Sequence, residues 1–147
     1  MEFIDWLINE NNMSSGRIII NPQPKGSHKT ITKDWWMIIE VSEEIGRYYR
    51  KQLSTFSMAK YNDLSAPEWG SHISIVRGEH PLNSEVWNKW NGKQVHFEYA
   101  NKVEIRDHSL YFWLAAKCPE AEEIRLELGL SKHPEYGFHL TFAKKRM

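Results

Sequence analysis

The sequence has very little cysteine and no long apolar run. Cys118 is its only cysteine, so no disulfide bond can form within the chain. No charged stretch followed by an apolar run marks a signal peptide, and no apolar run is long enough to span a membrane. These absences predict a soluble protein in a reducing, cytoplasmic setting, with no membrane partner.

An excess of charge of either sign is also lacking. Lysine plus arginine and aspartate plus glutamate each number 19, so the formal net charge is zero. Proteins that bind long nucleic acid usually carry a basic excess. A long DNA or RNA partner is therefore not expected, whereas a short nucleotide is compatible with this balance.

Two well-known motifs of nucleotide and metal chemistry are missing. No glycine-rich phosphate loop ending in Lys-Ser/Thr is present, which excludes an NTPase of that class. His96-Phe97-Glu98 matches the His-x-Glu of zinc deaminases, but the paired cysteines that complete their zinc site are absent. Neither a metal nor another cofactor is expected.

The residues that are present have the composition of a globular protein. Of 147 residues, 41% are apolar, and aromatic side chains are abundant, with seven Trp, six Tyr and six Phe. A chain of this length can bury a core without disulfides or metals. A single domain over residues 1–147 is expected.

Hydrophobic periodicity and turn residues predict a mixed α+β fold with hairpins. Ser42 and Ser84 are suitable caps for helices, and Pro119 suits the first turn of another. The predicted helices begin at these points, with one more at residues 2–10. The predicted strands cover residues 17–20, 35–41, 71–77, 94–99, 102–106, 110–116 and 138–143.

An eight-residue pattern occurs twice, with an offset of 67 positions. Its copies are Pro67-Glu68-Trp69-Gly70-Ser71-His72-Ile73-Ser74 and Pro134-Glu135-Tyr136-Gly137-Phe138-His139-Leu140-Thr141. The match extends to a basic residue three positions after each octet, Arg77 and Lys144. With seven histidines in the chain, about one His-x-Ser/Thr triplet is expected by chance. The triplet alone is therefore weak evidence for a catalytic site, and His28-Lys29-Thr30 is an example of a chance match. The upstream aromatic residue and glycine make the octet specific.

The repeat pairs an imidazole with a hydroxyl on each of two strands. Strand alternation puts His72 and Ser74 on one face of their strand, and His139 and Thr141 on one face of theirs. In phosphodiester cleavage one neutral imidazole takes a proton from the attacking oxygen, and a second, protonated imidazole gives one to the leaving oxygen. The hydroxyls would bind the phosphate oxygens.

Paired His-x-Ser/Thr motifs of this kind resemble those of the 2H phosphoesterase superfamily, and nearly the whole chain fits its strand and helix content. The resemblance implies a bilobal fold of two pseudo-symmetric antiparallel-sheet lobes, with flanking helices and a central cleft. Each lobe would contribute one motif. It also implies metal-free attack on a 3′,5′ phosphodiester, with His72 and His139 as acid and base in an order left open.

Within that superfamily, the chain's size and the aromatic residues beside its motifs are similar to those of bacteriophage anti-CBASS nucleases. These enzymes degrade the cyclic oligonucleotide signals of bacterial anti-phage immunity. The resemblance implies a phosphodiesterase for cyclic di- or trinucleotides, active in the cytoplasm of a phage host. Two alternatives remain: an RNA 2′,3′-cyclic phosphodiesterase, and a non-catalytic sponge that binds cyclic nucleotides.

Several residues near the motifs allow two interpretations. Trp69 and Tyr136 are candidates for stacking on nucleobases, and core packing is equally compatible. Strict alternation directs Lys145 toward the histidine face, as a candidate for substrate binding, and Arg77 and Lys144 away from it, while contact with phosphate stays open for all three. The sequence leaves open whether Trp35, Trp36, Tyr111 and Trp113 pack in the core or line a cleft. Base, ring-size and linkage preference and the oligomeric state are open as well.

Overall fold

The computed structural model describes residues 12–23, 35–56, 64–105 and 110–145. The helix expected at residues 2–10 and the triplet at 28–30 lie outside these ranges. The strands are β1 (Asn12–Ile20), β2 (Trp36–Glu40), β3 (Leu64–Ser65), β4 (His72–Arg77), β5 (Gln94–Ile105), β6 (Tyr111–Lys117) and β7 (Phe138–Lys145). The helices are α1 (Glu43–Phe56), a 3-10 helix (Ser84–Trp90) and α2 (Pro119–Glu127).

Six antiparallel strands close into a barrel, and the structure is of the α+β kind. The strand order is β7-β4-β2-β1-β5-β6, and β6 pairs back onto β7, while β3 extends one edge of β7. Closure gives each of the six strands two neighbouring strands in the barrel. One cluster of fully buried apolar side chains fills the interior, including Ile18, Ile39, Ile73, Val95, Phe97, Leu114 and Leu140.

The helices α1 and α2 begin where the sequence predicts them, whereas Ser84 is the first residue of the 3-10 helix and Asn83 takes the cap position. Ser42 Oγ accepts a hydrogen bond of 3.3 Å from the backbone N–H of Glu44, which caps the first turn of α1. Pro119 occupies the first turn of α2, where its missing N–H costs nothing. None of the helices in the described ranges is long and apolar enough to cross a membrane.

The strand predictions need three corrections. The strands predicted at residues 94–99 and 102–106 are one strand, β5 (Gln94–Ile105), because an irregularity in its pairing with β6 between Tyr99 and Val103 absorbs the polar interruption. Residue 106 lies outside the described ranges. β1 begins at Asn12 rather than at residue 17, since its first half pairs with β5. The two-residue edge strand β3 was not predicted.

The barrel consists of two halves with the same chain order. The first half contributes β1, β2 and β4, with α1 between the last two strands, and the second contributes β5, β6 and β7, with α2 in the same position. The registers match as well: Glu40 lies opposite His72 as Ala115 lies opposite His139. The repeat found in the sequence is therefore a repeat of local structure. The bilobal arrangement remains a prediction.

Each motif strand also contains a bulge at the same position. Ile38 pairs with Ser74 and Met37 with Val76, so Ile75 is the extra residue on β4. Phe142 is the extra residue on β7, because Trp113 pairs with Thr141 and Phe112 with Ala143. A bulge inserts one residue and so reverses the facing of every later side chain.

Candidate active site

A matching turn precedes each motif strand. The Gly70 N–H donates to the Pro67 carbonyl at 2.9 Å, and the Gly137 N–H donates to the Pro134 carbonyl at 3.0 Å. The φ angles of Gly70 and Gly137 are +76° and +77°, a left-handed conformation in which a side chain is strained. Both copies therefore use their glycine for the same backbone geometry.

The four predicted catalytic residues line one pocket. His72, Ser74, His139 and Thr141 all contribute to a pocket of about 420 Å³. The pocket lies where β4 meets β7, and His72 is directly opposite Thr141 in their register. The structure thus brings together the two imidazoles and two hydroxyls that the repeat singles out. A volume of this order suits a small ligand.

His72 is held as a neutral imidazole. Its side chain is 5% exposed, and its Nδ1 lies 2.7 Å from the Gly70 carbonyl oxygen. Because a carbonyl only accepts, Nδ1 carries the hydrogen and Nε2 keeps a lone pair. Burial, together with the positive charge of Arg77, lowers the pKa of His72 below 6.5, although the Gly70 carbonyl opposes this shift. His72 is therefore poised to accept a proton.

His139 lies in a more open and aromatic environment. Its ring packs against the Trp113 ring at a centroid distance of 5.3 Å, and both side chains line the pocket. The side chain is only partly buried, in contrast to that of His72. The two histidines therefore have the same place in the repeat but different surroundings, as acid and base roles require.

Ser74 is oriented by a buried tryptophan that the sequence did not single out. Trp36 is 1% exposed, and its indole N–H donates to Ser74 Oγ at 3.0 Å. The same ring packs edge-on against His72 at 5.8 Å. Trp36 therefore supports both members of the first motif from behind, whereas Trp113 lines the pocket. The sequence offered no signal to separate these two tryptophans.

The expectation that Arg77 points away from the histidine face is wrong. Arg77 lines the pocket, and its guanidinium carbon lies 4.8 Å from the centroid of the Trp36 ring. The reason is the extra residue Ile75, which reverses strand alternation between Ser74 and Arg77. The pocket therefore includes a permanent positive charge beside its histidines. A bulge leaves no clear signal in the sequence.

The three predicted substrate-binding residues are divided. Tyr136 is 61% exposed and lines the pocket. Trp69 packs edge-on against Trp36 at 5.0 Å and does not line the pocket. Lys145 is exposed and lies outside the pocket lining, where it pairs with Leu64 of β3. The extra residue Phe142 reverses strand alternation between Thr141 and Lys145, which is why the prediction for Lys145 is wrong. Of the three, only Tyr136 therefore lines the pocket of the candidate catalytic residues.

Lys144 connects the two copies of the repeat. Its ammonium forms an ion pair with Glu68, which also accepts a 3.1 Å hydrogen bond from the Tyr111 hydroxyl. Glu68 belongs to the first turn, whereas Lys144 and Tyr111 belong to the second half of the chain. Lys144 thus differs from its repeat partner Arg77, since its contact is structural and it does not line the pocket.

A second, larger pocket lies elsewhere and has a different character. It measures about 780 Å³ and lies between α1 and β5, with Tyr48, Tyr49, Tyr99, Asn12 and Asn101 among its lining residues. It contains neither a histidine nor a lysine or arginine. In the described ranges, no group of three His, Cys, Asp or Glu side chains is arranged as a metal site. The absence of a cofactor stays a prediction.

Comparisons with known proteins gave no relative. No family model, no curated protein and no solved structure matches the chain. The assignment of function therefore depends on the repeat and on the geometry of the pocket.

Proposed function

We propose that the chain is a metal-independent phosphodiesterase of the two-histidine type, with a bilobal 2H phosphoesterase-like fold. Its proposed substrates are cyclic di- and trinucleotides of the anti-phage immune response. The observation that carries this proposal is that His72, Ser74, His139 and Thr141 line one and the same pocket. Two imidazoles with a hydroxyl beside each supply both proton transfers and the hydrogen bonds that phosphoryl transfer needs.

The surroundings of His72 favour it as the general base. Its Nδ1 hydrogen is committed to the Gly70 carbonyl, and its lowered pKa keeps Nε2 unprotonated at neutral pH. Nε2 takes the proton from a ribose 2′-hydroxyl, whose oxygen then attacks the neighbouring phosphorus. His139, in its protonated form, gives a proton to the 5′-oxygen as the bond from phosphorus to that oxygen breaks. The ring opens to a linear product with a 2′,3′-cyclic phosphate.

The other pocket residues provide charge stabilisation and binding. Ser74 and Thr141 donate hydrogen bonds to the phosphate oxygens, and the Arg77 guanidinium balances the charge that develops on them. The exposed ring of Tyr136 offers a flat surface for a nucleobase, a contact worth about 1–3 kcal/mol. These groups suit one phosphodiester linkage with an adjoining base.

The size and charge of the site favour a small cyclic substrate over RNA ends. Among the described residues that line the pocket, Arg77 is the only lysine or arginine, and Glu79 and Glu135 line the same pocket. A site for an RNA strand needs a row of cations along the backbone, which this lining does not offer. The alternatives remain an RNA 2′,3′-cyclic phosphodiesterase and a sponge that binds without cutting.

The deciding experiment is cleavage of 3′,3′-linked cyclic dinucleotides and trinucleotides in excess chelator, with products separated by chromatography. Wild-type protein is expected to give linear products, whereas His72→Ala and His139→Ala are each expected to lose most of the activity. A general acid or base typically contributes about 10²–10⁴-fold. Arg47→Ala, a change at an exposed arginine of α1, is the matched control and is expected to retain full activity.

The outcomes separate the three candidates. Tight binding with the ligand recovered intact would identify a sponge. Cleavage of RNA ends alone would identify the RNA enzyme. Activity that disappears with chelator, or that survives both histidine substitutions, would refute a metal-independent two-histidine mechanism.

A further inference from the structure

Two arginines occupy equivalent positions in the two halves. Arg50 lies on α1 and Arg125 on α2, 75 positions apart, the same offset that relates β2 to β6. The Arg50 Nη1 donates to the Phe142 carbonyl at 2.6 Å, and the Arg125 Nη1 donates to the Ile75 carbonyl at 2.8 Å. Both acceptors are the extra residues of the two bulges, themselves related by the repeat.

The bulges explain why these carbonyls need a donor. A bulged residue is left unpaired in the ladder, and a buried carbonyl without a partner costs about 1–3 kcal/mol. Ile75 and Phe142 are both 0% exposed, so water does not reach either residue. Each arginine therefore satisfies a backbone acceptor that the strand itself cannot.

The contacts cross from one half to the other. Arg50 belongs to the half that contains His72, yet it holds the strand of His139. Arg125 belongs to the half that contains His139, yet it holds the strand of His72. Each bulge also sets which later side chains face the pocket, and on β4 that side chain is Arg77.

Arg125 has the larger set of partners. It is 0% exposed and forms a two-pronged ion pair with Glu79, with distances of 2.8 and 2.7 Å. Its Nε also donates to the Ser131 carbonyl at 2.7 Å, just before the turn that carries Tyr136. Arg125 thus ties together β4, a carboxylate of the pocket lining and the approach to the second turn.

Arg50 reaches its carbonyl through a gap kept open by a glycine. A Cβ atom on Gly46 would lie 2.7 Å from the Arg50 Nη1 and closer still to Ser71 Oγ, and both distances are too short for a real contact. Any larger residue at this position would displace the Ser71 side chain, the guanidinium or the backbone. The space for the crossing is therefore built into the first turns of α1.

We propose that Arg50 and Arg125 are a pair of crossed positioning residues, each of which fixes the bulge, and so the catalytic face, of the motif strand in the opposite half. Arg50 holds β7 directly after Thr141 and three residues after His139, and Arg125 positions Arg77 beside His72. The proposal concerns the strands themselves, and only its kinetic readout rests on the proposed function.

The test compares Arg50→Met, Arg50→Lys and Arg125→Met with Arg47→Met, a change at an exposed arginine of the same helix. Backbone amide and histidine ring spectra are recorded by NMR. The amides of Ala143 and Val76 follow the two bulge carbonyls and respond to the hydrogen bonds that these accept. Arg50→Met is expected to shift the Ala143 amide and the His139 ring but not the Val76 amide. Arg125→Met is expected to shift Val76 but not Ala143.

The conservative variant adds a rescue. A lysine can replace the one hydrogen bond that Arg50 donates, so Arg50→Lys is expected to return the Ala143 amide toward its wild-type position. Arg47→Met is expected to leave both amides unchanged. If Arg125→Met does not fold, the Arg50 variants decide alone. Equal shifts at Val76 and Ala143 in Arg50→Met, or no shift at either, would overturn the crossing.

Kinetics on a cleaved substrate give a second readout. Arg50→Met is expected to lower kcat by about tenfold or more with little change in KM, because it loosens β7 next to Thr141 and His139 and leaves Arg77 in place. Arg125→Met is expected to raise KM as well. The NMR spectra do not depend on turnover. A protein that cleaves no substrate can therefore still show the contacts of each arginine with the opposite half, and an active enzyme can still lack them.

Discussion

His72 is buried in the protein interior, although its proposed role is to exchange a proton with a substrate. Its side chain is 5% exposed, and burial is the main cause of its lowered pKa. Its one fixed hydrogen bond, to the Gly70 carbonyl, orients the ring without adding a negative charge. The residue therefore keeps a free lone pair at a pH where an exposed histidine begins to protonate.

This lowered pKa predicts a loss of stability in mild acid. Below pH 6.5 the unfolded chain protonates His72 while the folded chain resists, so the unfolded state binds more protons and stability falls as the pH falls. The contribution reaches at most about 1.4 kcal/mol per pH unit, down to the pKa of the folded state. Denaturant unfolding at pH 7 and pH 5 measures it. His72→Gln is expected to lose less stability over this interval than wild type, and an equal loss would contradict the prediction.

Trp36 provides a second prediction for a single residue. Trp36→Phe removes the indole N–H that orients Ser74 but leaves an aromatic ring in the core. A loss of about 1 kcal/mol of transition-state stabilisation, or about fivefold in kcat/KM, is expected. Trp87→Phe, at a similarly buried tryptophan of the 3-10 helix, is the control for lost volume. Equal effects of the two changes on kcat/KM would argue against a role for the hydrogen bond.

The sequence predicts the four residues of the motifs but not their supporting residues. His72 and His139 stand out because their spacing to a glycine and a hydroxyl is repeated. Trp36, Arg50 and Arg125 have no local pattern, since their partners lie far away in the chain. Long-range hydrogen bonds to backbone carbonyls depend on the fold alone, and so they became visible only in the structure.

Among the structural elements, two glycines with a left-handed backbone allow a matched comparison. Gly137 lies in the turn before β7, and Gly92 follows the 3-10 helix. Gly137 and Gly92 have φ angles of +77° and +84°, and a Cβ on either would meet nothing within 4 Å. Alanine at either position therefore costs only backbone strain, about 1–2 kcal/mol. Gly137→Ala and Gly92→Ala are expected to lower stability alike in thermal unfolding. Only Gly137→Ala is expected to lower kcat/KM, because Gly137 lines the pocket; parallel losses of activity would contradict this.

The pattern of elements was largely predictable, and the irregularities were not. Local sequence rules predict the cap at Ser42, the proline in the first turn of α2 and the apolar runs of β2 and β4. The bulge at Ile75 does not, because one extra residue in an apolar strand leaves the composition unchanged. The prediction for Arg77 failed for this reason, although the identity of the strand was right.

For the whole molecule, the balance of charge predicts a weak dependence on salt. The net charge is zero, and the described residues of the pocket lining include a single arginine, Arg77. One phosphate paired with one cation gives a slope of log affinity against log salt of about −1 or shallower. KM is therefore expected to rise by less than about tenfold between 50 and 500 mM salt. Arg77→Gln is expected to raise KM at low salt and to flatten the slope.

A steeper slope would contradict this prediction. A protein that binds a long nucleic acid contacts many phosphates at once. Its affinity for that nucleic acid falls by several orders of magnitude over a similar range of salt concentration. Measuring KM for a cyclic dinucleotide beside binding of a long RNA would show which ligand the charge distribution suits.

The crossed arginines also bear on the relation between the halves. In a two-fold symmetric dimer, a residue of one subunit contacts a second residue of its partner, and the reverse contact occurs as well. Arg50 with Phe142, and Arg125 with Ile75, repeat that arrangement within one chain. The two halves thus meet as the subunits of a homodimer do, with a covalent link added. The donor that reaches each bulge carbonyl belongs to the other half, so one half expressed alone is expected to need a partner copy to form its motif strand.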